Sequence, residues 1–136
     1  VPMPNQTNVN GKPLSQFINK EKLDQIIERT RNGGAEINKL LQKGSAFYAP
    51  AASGVEMAES YLKNLKKVLP CAAYLNGEYG VKNLYVGVPV VIGSAGVEKV
   101  IQLELSPKEK NNFDLSVKAV KDLIIKAKKI DPELED

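Results

Sequence analysis

Apolar residues recur at intervals of three and four positions after residue 19, which predicts a long amphipathic helix. Asn19 is a suitable N-cap for this helix, and Glu21 is favourable in its first turn. The apolar stripe consists of Leu23, Ile26, Ile27, Thr30, Gly34, Ile37 and Leu41. Gly33 and Gly34 lie on or beside the stripe, where each glycine costs about 1 kcal/mol relative to alanine. We therefore expect either a bend or a close crossing by another helix, and a subunit contact is one form of such a crossing.

A run of small and aromatic residues, GSAFYAPAAS at positions 44–53, separates this helix from a second one. Gly44 is expected to cap the first helix and Ser45 to cap the second, while Pro50 is tolerated within a first turn. The buried side of the second helix is expected to consist of Ala51, Val55, Ala58, Leu62 and Leu65. Judged by residue types alone, the small run favours tight helix packing over the wall of a ligand pocket.

Apolar and alternating segments then predict strands at residues 68–75, 84–92 and 97–105. Gly87 and Pro89 suggest a bulge or an edge in the second of these strands. The turn at residues 93–96, GSAG, lacks the GxGxxG pattern and leads into a strand, so a hairpin is favoured over a phosphate loop. Short turns between consecutive strands predict an antiparallel meander.

The last helix has the clearest local signature. Ser106 and Glu109 match a capping box, with Pro107 at the first helical position. Its buried stripe is expected to consist of Phe113, Val117, Val120, Ile124 and Ala127. Pro132 is expected to end the helix, and residues 133–136 are expected to form a frayed acidic tail.

These elements predict an α+β fold. Residues 1–12 are expected to be extended and to end in a hairpin turn at Asn10 and Gly11. Strands with one apolar face need helices to cover them, so we expect a small antiparallel sheet packed against long helices and ending in a long C-terminal helix. The length of 136 residues fits a single domain.

The amino-acid composition limits the kinds of catalytic site, metal site and partner that this chain can have. The chain contains no histidine, which excludes Ser-His-Asp and Cys-His catalysis and most zinc sites, and we expect no metal. The net charge of +3 gives little reason to expect nucleic acid, and no apolar run approaches the roughly 18 residues of a membrane span. The single cysteine, Cys71, cannot form an internal disulfide and is expected to be a small core residue. A cytoplasmic protein is therefore expected.

Several motifs extend over nearly the whole chain: RTRNGGAEI at 29–37, GSA at 44–46 with APAA at 49–52, MAESYL at 57–62, LPCAAYL at 69–75, GEYGV at 77–81 and YVGVP at 85–89. On these motifs the chain resembles the C-terminal, substrate-binding half of the lactate/malate dehydrogenase family. The motifs are more similar to those of NAD-dependent malate dehydrogenases of the lactate-dehydrogenase-like group than to those of lactate dehydrogenases. The segment between Leu14 and Glu21 is shorter than is usual in that family and could be a natural deletion or a missing stretch.

The resemblance implies an oxidoreductase of the tricarboxylic acid cycle that interconverts malate and oxaloacetate. It places the catalytic histidine just upstream of Val1, in a missing N-terminal Rossmann domain that binds most of the NAD, and it implies that this chain alone is inactive. By position, Ala46 corresponds to a residue that touches the substrate and Pro50 to one near the nicotinamide. The resemblance also implies a homo-oligomer, dimer or tetramer, with Gly33 and Gly34 at a subunit contact.

Two alternatives remain at this point. The first is a lactate dehydrogenase, because the family's specificity loop lies outside the chain. The second is a non-enzymatic module that uses the same scaffold to bind proteins.

Overall fold

The computed structural model describes residues 2–135, and the chain divides into two compact units, Val1–Pro50 and Ala51–Asp136. The helices are α1 (Lys20–Leu41), α2 (Tyr48–Leu62) and α3 (Pro107–Ile130). The strands are β1 (Asn8–Val9), β2 (Lys12–Pro13), β3 (Lys67–Asn76), β4 (Lys82–Gly93) and β5 (Gly96–Val100). This architecture confirms the predicted α+β fold, with its small antiparallel sheets and its long C-terminal helix. Within the described residues, no helix is long and apolar enough to cross a membrane.

A short hairpin precedes the first helix. β1 pairs antiparallel with β2, and the connecting Asn10 and Gly11 have φ angles of 50° and 77°. Two consecutive positive φ angles match a type I′ turn, which confirms the predicted Asn-Gly hairpin. The extended segment before it is not continuous, because Pro4–Gln6 forms a 3-10 turn. Pro4 occupies the first position of that turn, where a backbone N–H would have no partner within the turn, so proline costs no hydrogen bond there.

Caps delimit α1. Asn19 Oδ1 accepts a hydrogen bond from Lys22 N at 2.9 Å, which confirms the predicted N-cap. The predicted C-cap at Gly44 is wrong, because Gln42 takes the left-handed conformation there, with a φ of 58°. The Gln42 N–H bonds to the carbonyl four residues earlier, so the last turn is satisfied before the chain reaches the glycine.

The apolar stripe of α1 is not buried. None of the 22 residues of this helix, all of which the structure describes, is buried. Ile26, Ile37 and Leu41 are 41%, 40% and 45% exposed. A Cβ placed on Gly33 or Gly34 would meet no atom of the described chain within 4 Å. Within residues 2–50, no element of the first unit therefore crosses α1 at its glycines.

α2 differs from its prediction in its start and in its buried side. The helix begins at Tyr48, so the predicted N-cap at Ser45 is wrong, although Pro50 does lie in the first turn. The predicted buried side is also wrong, because Val55 and Leu62 are 70% and 78% exposed and Ala51, Ala58 and Leu65 are exposed as well. The helix instead buries Ser60, near its C-terminal end.

Ser60 ties α2 to the sheet. Its Oγ donates a hydrogen bond to Ile92 O at 2.7 Å and accepts one from Lys67 N at 3.2 Å. Ile92 belongs to β4 and Lys67 begins β3, so one hydroxyl joins the helix to two neighbouring strands. These two hydrogen bonds attach α2 to the sheet at one residue, so the helix does not need a long apolar side against the strands.

The main sheet is an antiparallel meander in the order β3-β4-β5, as predicted. Pro70 of β3 faces Pro89 of β4 in the register. Pro89 O accepts a hydrogen bond from Ile101 N at 2.9 Å, so the polar groups of Pro89 point away from β3. The two prolines therefore form a non-hydrogen-bonded pair, in which the missing N–H groups cost no ladder bond.

The irregularities of the sheet do not lie at the predicted positions. They fall between Leu75 and Asn76 and between Val91 and Ile92. Gly87 keeps a regular register, and Pro89 needs no bulge for the reason just given.

The third strand is shorter than predicted, because β5 ends at Val100. After Val100, hydrogen bonds to Tyr79 replace those between strands: the Tyr79 hydroxyl donates to Ile101 O at 2.6 Å and accepts from Leu103 N at 3.0 Å. Its backbone N–H donates to Gln102 Oε1 at 2.8 Å. The apolar residues of the segment 101–105 are half-buried and the polar ones exposed, which explains why its pattern imitated a strand.

The core of the second unit lies between the sheet and the first half of α3. It consists of Cys71, Ala73, Leu75, Val81, Leu84, Val86, Val88, Val90, Ile92, Phe113 and Val117. The capping box is confirmed, since Glu109 Oε2 accepts from Ser106 N at 3.0 Å and Ser106 Oγ accepts from Glu109 N at 3.4 Å. Cys71 is a core residue as expected, and burial raises the pKa of its thiol.

The C-terminal half of α3 departs from the prediction. Val120 packs against the core, but Ile124 and Ala127 are exposed, because the core extends no further along the helix. α3 ends before Pro132, as expected. The predicted frayed tail began at Glu133, but residues 133–135 belong to a 3-10 turn, Pro132–Glu135, and Asp136 lies outside the described residues.

Candidate functional site

The candidate pocket wall is the connection from α1 to α2 together with the first turn of α2, residues 42–50. The chain turns through two left-handed residues, Gln42 and Gly44, whose φ angles are 58° and 93°. Lys43 N bonds to Leu41 O at 2.6 Å, so the reversal is tight. A φ of 93° strongly favours glycine at position 44. The turn leads into residues 45–47, which have no regular secondary structure and precede α2.

Two aromatic rings stand at the start of α2. The ring centroids of Phe47 and Tyr48 are 4.9 Å apart, with an angle of 37° between the planes. Phe47 folds back towards Gly44, because its Cε1 lies 3.9 Å from the place that a Cβ on this glycine would take. Ala46, immediately before the rings, is half-buried. The two rings beside it are 54% and 79% exposed.

The N-terminus of α2 adds a favourable field for an anion. The first N–H groups of a helix have no partners within it, and the helix dipole favours negative charge there. The first turn of this 15-residue helix contains no acidic side chain that would compete for that position. Pro50, the third residue of the helix, removes one donor and adds a rigid apolar ring. The wall can therefore contact an apolar ring and stabilise a carboxylate.

Gly33 and Gly34 lie elsewhere, in the middle of α1. A groove of about 400 Å³ along this helix is lined by Ile26, Arg29, Thr30, Gly33, Glu36 and Ile37. Arg29 Nε and Nη2 donate to the two oxygens of Glu36 at 3.1 and 2.9 Å. This hydrogen-bonded contact raises the pKa of Arg29 and lowers that of Glu36. The pair spans two helical turns, and Gly33 between them places no side chain in its way.

The wall offers contacts but no histidine to exchange a proton near neutral pH. Within residues 2–135, no group of three or more His, Cys, Asp or Glu residues is arranged to hold a metal ion. Carboxyls with a lowered pKa lie outside the wall: Glu36 beside Arg29, Glu59 beside Lys63 and Glu78 beside the backbone N–H of Asn76.

Several structural residues were not singled out from the sequence. The Arg29–Glu36 pair had a signal, since a cation and an anion seven residues apart flank a glycine on one helix. The contact of Phe47 with Tyr48 had none, because it lies at the start of α2, which was predicted two residues too early. The burial of Ser60 had none, because it depends on hydrogen bonds to two strands that lie further along the chain.

Comparisons with known proteins agree with one another. The model of the lactate/malate dehydrogenase family, alpha/beta C-terminal domain, matches residues 1–130. The chain is 60% identical to a malate dehydrogenase of Pelagibacter ubique (strain HTCC1062), over 98% of this chain and 43% of that protein.

Solved structures of similar sequence share the fold. Malate dehydrogenase from Salinibacter ruber superposes with a TM-score of 0.93 at 42% identity, over 98% of this chain and 43% of that one. Lactate dehydrogenase from Eimeria maxima with NADH and oxamate gives 0.92 at 38% identity, over 99% of this chain and 44% of that one. The chain thus spans less than half of the length of the relatives that it matches.

Proposed function

The chain belongs to the lactate/malate dehydrogenase family, as its alpha/beta C-terminal domain, and from this premise we propose that it is the substrate-binding half of an NAD-dependent malate dehydrogenase. The reaction is the reversible oxidation of malate to oxaloacetate. The observation that carries this proposal is the 60% identity to a malate dehydrogenase over 98% of the chain.

In this proposal the residues of the wall have separate roles. Ala46 contacts the substrate, and its small side chain admits the second carboxylate of malate. The N-terminus of α2 stabilises that carboxylate through its unpaired N–H groups and its dipole. Pro50 and the neighbouring aromatic rings present an apolar surface to the nicotinamide, which fits a flat ring of low polarity.

NAD binds mainly outside this chain in the proposal. The exposed rings of Phe47 and Tyr48 fit the nicotinamide, but no Gly-rich turn from a strand into a helix is present in residues 2–135 to hold the pyrophosphate. The proposed upstream half therefore contributes the Rossmann domain and the histidine that moves the proton. When bound, NAD supplies the acceptor for the hydride from the hydroxyl-bearing carbon.

The exposed apolar stripe of α1 supports the proposal that another part of the complete protein covers this helix. A helix of 22 residues gains most of its stability from packing of its apolar face, and this face is exposed. We propose that the upstream half and neighbouring subunits cover such surfaces in a complete homo-oligomeric enzyme. A cytoplasmic location is part of the same proposal, and the single buried Cys71 fits a reducing compartment.

Lactate is the second candidate substrate. The observation in its favour is the likeness to the lactate dehydrogenase of Eimeria maxima, which is nearly as great as that to the malate dehydrogenase of Salinibacter ruber. The contact proposed between the start of α2 and a second carboxylate applies to malate alone, because lactate has a single carboxylate.

The test is a chimaera in which this chain replaces the C-terminal part of the Pelagibacter ubique malate dehydrogenase. We expect formation of NADH from NAD and malate, at a rate within about tenfold of the parent enzyme, and no turnover by the 136-residue chain alone. In this chimaera the specificity loop comes from the parent enzyme, so turnover of malate tests the dehydrogenase role that both candidates share. A folded chimaera without either activity would contradict both and favour a binding module.

A further inference from the structure

Asparagine stands directly before glycine at three places in this chain, at Asn10, Asn32 and Asn76. Such a pair is prone to spontaneous deamidation, because glycine has no side chain to hinder attack by its backbone nitrogen on the amide carbon of the asparagine. The residue types are the same at all three places. The structure makes the places different, since the attacking nitrogen must be free of hydrogen bonds and the asparagine side chain must be able to reach it.

Asn32 is held by the helix in which it lies. Gly33, the residue after it, is in the middle of α1, so its N–H belongs to the hydrogen-bond ladder of the helix. The Asn32 side chain is held as well, because its Nδ2 donates to Glu28 O at 3.1 Å and to Glu28 Oε1 at 2.9 Å. Attack at this position therefore requires part of α1 to unfold first.

Asn76 is held by the turn between β3 and β4. The N–H of Gly77, which would have to attack, donates to Val81 O at 2.8 Å. The backbone N–H of Asn76 itself donates to Glu78 Oε2 at 2.8 Å, which fixes the chain on the other side of the same peptide bond. Attack at this position likewise requires the turn to open first.

Asn10 lies in a different setting, the two-residue turn between β1 and β2, where both Asn10 and Gly11 are exposed. In such a turn the ladder bonds join the flanking residues, Val9 and Lys12, so the N–H of Gly11 faces solvent. A Cβ on Gly11 would meet no described atom within 4 Å, so its nitrogen is open to approach. Each strand of the hairpin has two residues, and a hairpin of this size is marginally stable. The backbone rotation that the attack requires is therefore accessible here.

We propose that Asn10 is a site of spontaneous deamidation, and that the fold directs the reaction to this asparagine over the other two. The backbone nitrogen of Gly11 loses its proton and bonds to Cγ of Asn10, and the side-chain nitrogen leaves with that proton as ammonia. The product is a five-membered cyclic imide. Water then adds to one of its two carbonyl carbons, and the C–N bond at that carbon breaks. Either an aspartate or an isoaspartate remains at position 10, and water is the only reactant besides the chain.

The two products have different effects on the hairpin. Aspartate preserves the turn, because Asp-Gly is also favoured in a type I′ turn, and it adds a negative charge to a chain whose formal net charge is +3. Isoaspartate carries the backbone through the former side chain and so lengthens it by a methylene group. The register that pairs Val9 with Lys12 across a two-residue turn then no longer closes. Formation of isoaspartate therefore releases the segment before α1 from the hairpin.

Peptide mapping of the 136-residue chain after prolonged storage in warm, mildly alkaline buffer measures the reaction. Trypsin does not cleave between Lys12 and Pro13, so it places the three asparagines in separate peptides, 1–20, 32–39 and 68–82. Liquid chromatography with tandem mass spectrometry then follows conversion at each asparagine and separates isoaspartate from aspartate. We expect conversion at position 10 to be at least about tenfold faster than at 32 or 76, because those two positions wait for local opening.

The same chain unfolded in guanidinium chloride is the control for sequence. Without the fold, the three positions should convert at rates within about threefold of one another, since each has the same two residue types. Asn10→Gly removes the reactive amide and keeps a type I′ turn, because Gly-Gly is also favoured there, so both products at position 10 should disappear. Asn32→Gln is the matched control, with an unchanged circular-dichroism spectrum and unchanged conversion at position 10 as the expected results.

Three results would overturn the proposal. The first is conversion at position 10 that is no faster than at 32 or 76 in the folded chain. The second is an equal preference for position 10 in guanidinium chloride, because selectivity would then come from the sequence and not from the hairpin. The third is aspartate without isoaspartate at position 10, since opening of the cyclic imide yields both. The activity of the chimaera described above bears on none of these results, so the failure of one proposal is separable from that of the other.

Discussion

Replacing Ser60 with alanine tests the joint between α2 and the sheet. The side chain is completely enclosed, and its hydroxyl bonds to Ile92 O at 2.7 Å and to Lys67 N at 3.2 Å. Alanine removes both bonds and leaves a carbonyl on the central strand without this donor. A buried polar group that loses its partner costs about 1–3 kcal/mol. The Lys67 contact is longer and only partly buried, so we expect a total loss of about 2–3 kcal/mol in the free energy of unfolding.

Urea denaturation of the 136-residue chain, followed by circular dichroism, measures this loss. The midpoint is expected to fall by about 1 M or more without a change in slope, because the surface exposed on unfolding stays the same. Ser53→Ala is the matched control: it makes the same substitution at an exposed position of α2, and its effect should lie within about 0.5 kcal/mol. A loss below about 0.5 kcal/mol for Ser60→Ala as well would refute the idea that this hydroxyl holds the helix on the sheet.

Three further predictions concern the candidate pocket wall, the hydrogen bonds of Tyr79 to the segment after β5, and the dependence of stability on pH. Ala46→Leu in the chimaera should lower kcat/KM for malate by about tenfold or more, since overpacking costs about 1–3 kcal/mol, and unchanged kinetics would return Ala46 to a packing role. Tyr79→Phe should destabilise the chain by about 1–2 kcal/mol in the same urea assay, because the hydroxyl makes two hydrogen bonds to the segment after β5; an unaltered midpoint would contradict this. The backbone N–H of Asn76 holds the pKa of Glu78 below its ordinary value of 4.5. The ionised carboxylate therefore stabilises the fold above pH 4.5, and this contribution is lost as the pH falls through the lowered pKa of the folded state. Glu78→Gln should therefore be less stable than the wild type at pH 7, with a difference that shrinks below pH 4.5, and a difference independent of pH would show that the carboxylate charge is not responsible.

Local sequence determined those features that depend on residues close together in the chain. Asn19 caps α1, Asn10 and Gly11 form the hairpin turn, and Ser106 with Glu109 forms the capping box, all as predicted. Each of these depends on hydrogen bonds or φ angles that a few neighbouring residues decide among themselves. The family motifs are also short runs of neighbouring residues, and for this reason the amino-acid sequence was sufficient to identify the family.

Tertiary structure decided the features that depend on distant groups. β5 ends early because the hydroxyl of Tyr79, more than 20 residues away, takes the polar groups of the segment that imitated a strand. Helical periodicity identified the apolar sides of α1 and α2 but could not say whether anything covers them. Burial depends on what lies opposite a side chain, and the residue that α2 buries is a serine, bonded to two strands. The sequence by itself thus established the elements, the N-caps of α1 and α3, and the family, while the packing of their faces followed from contacts between residues far apart in the chain.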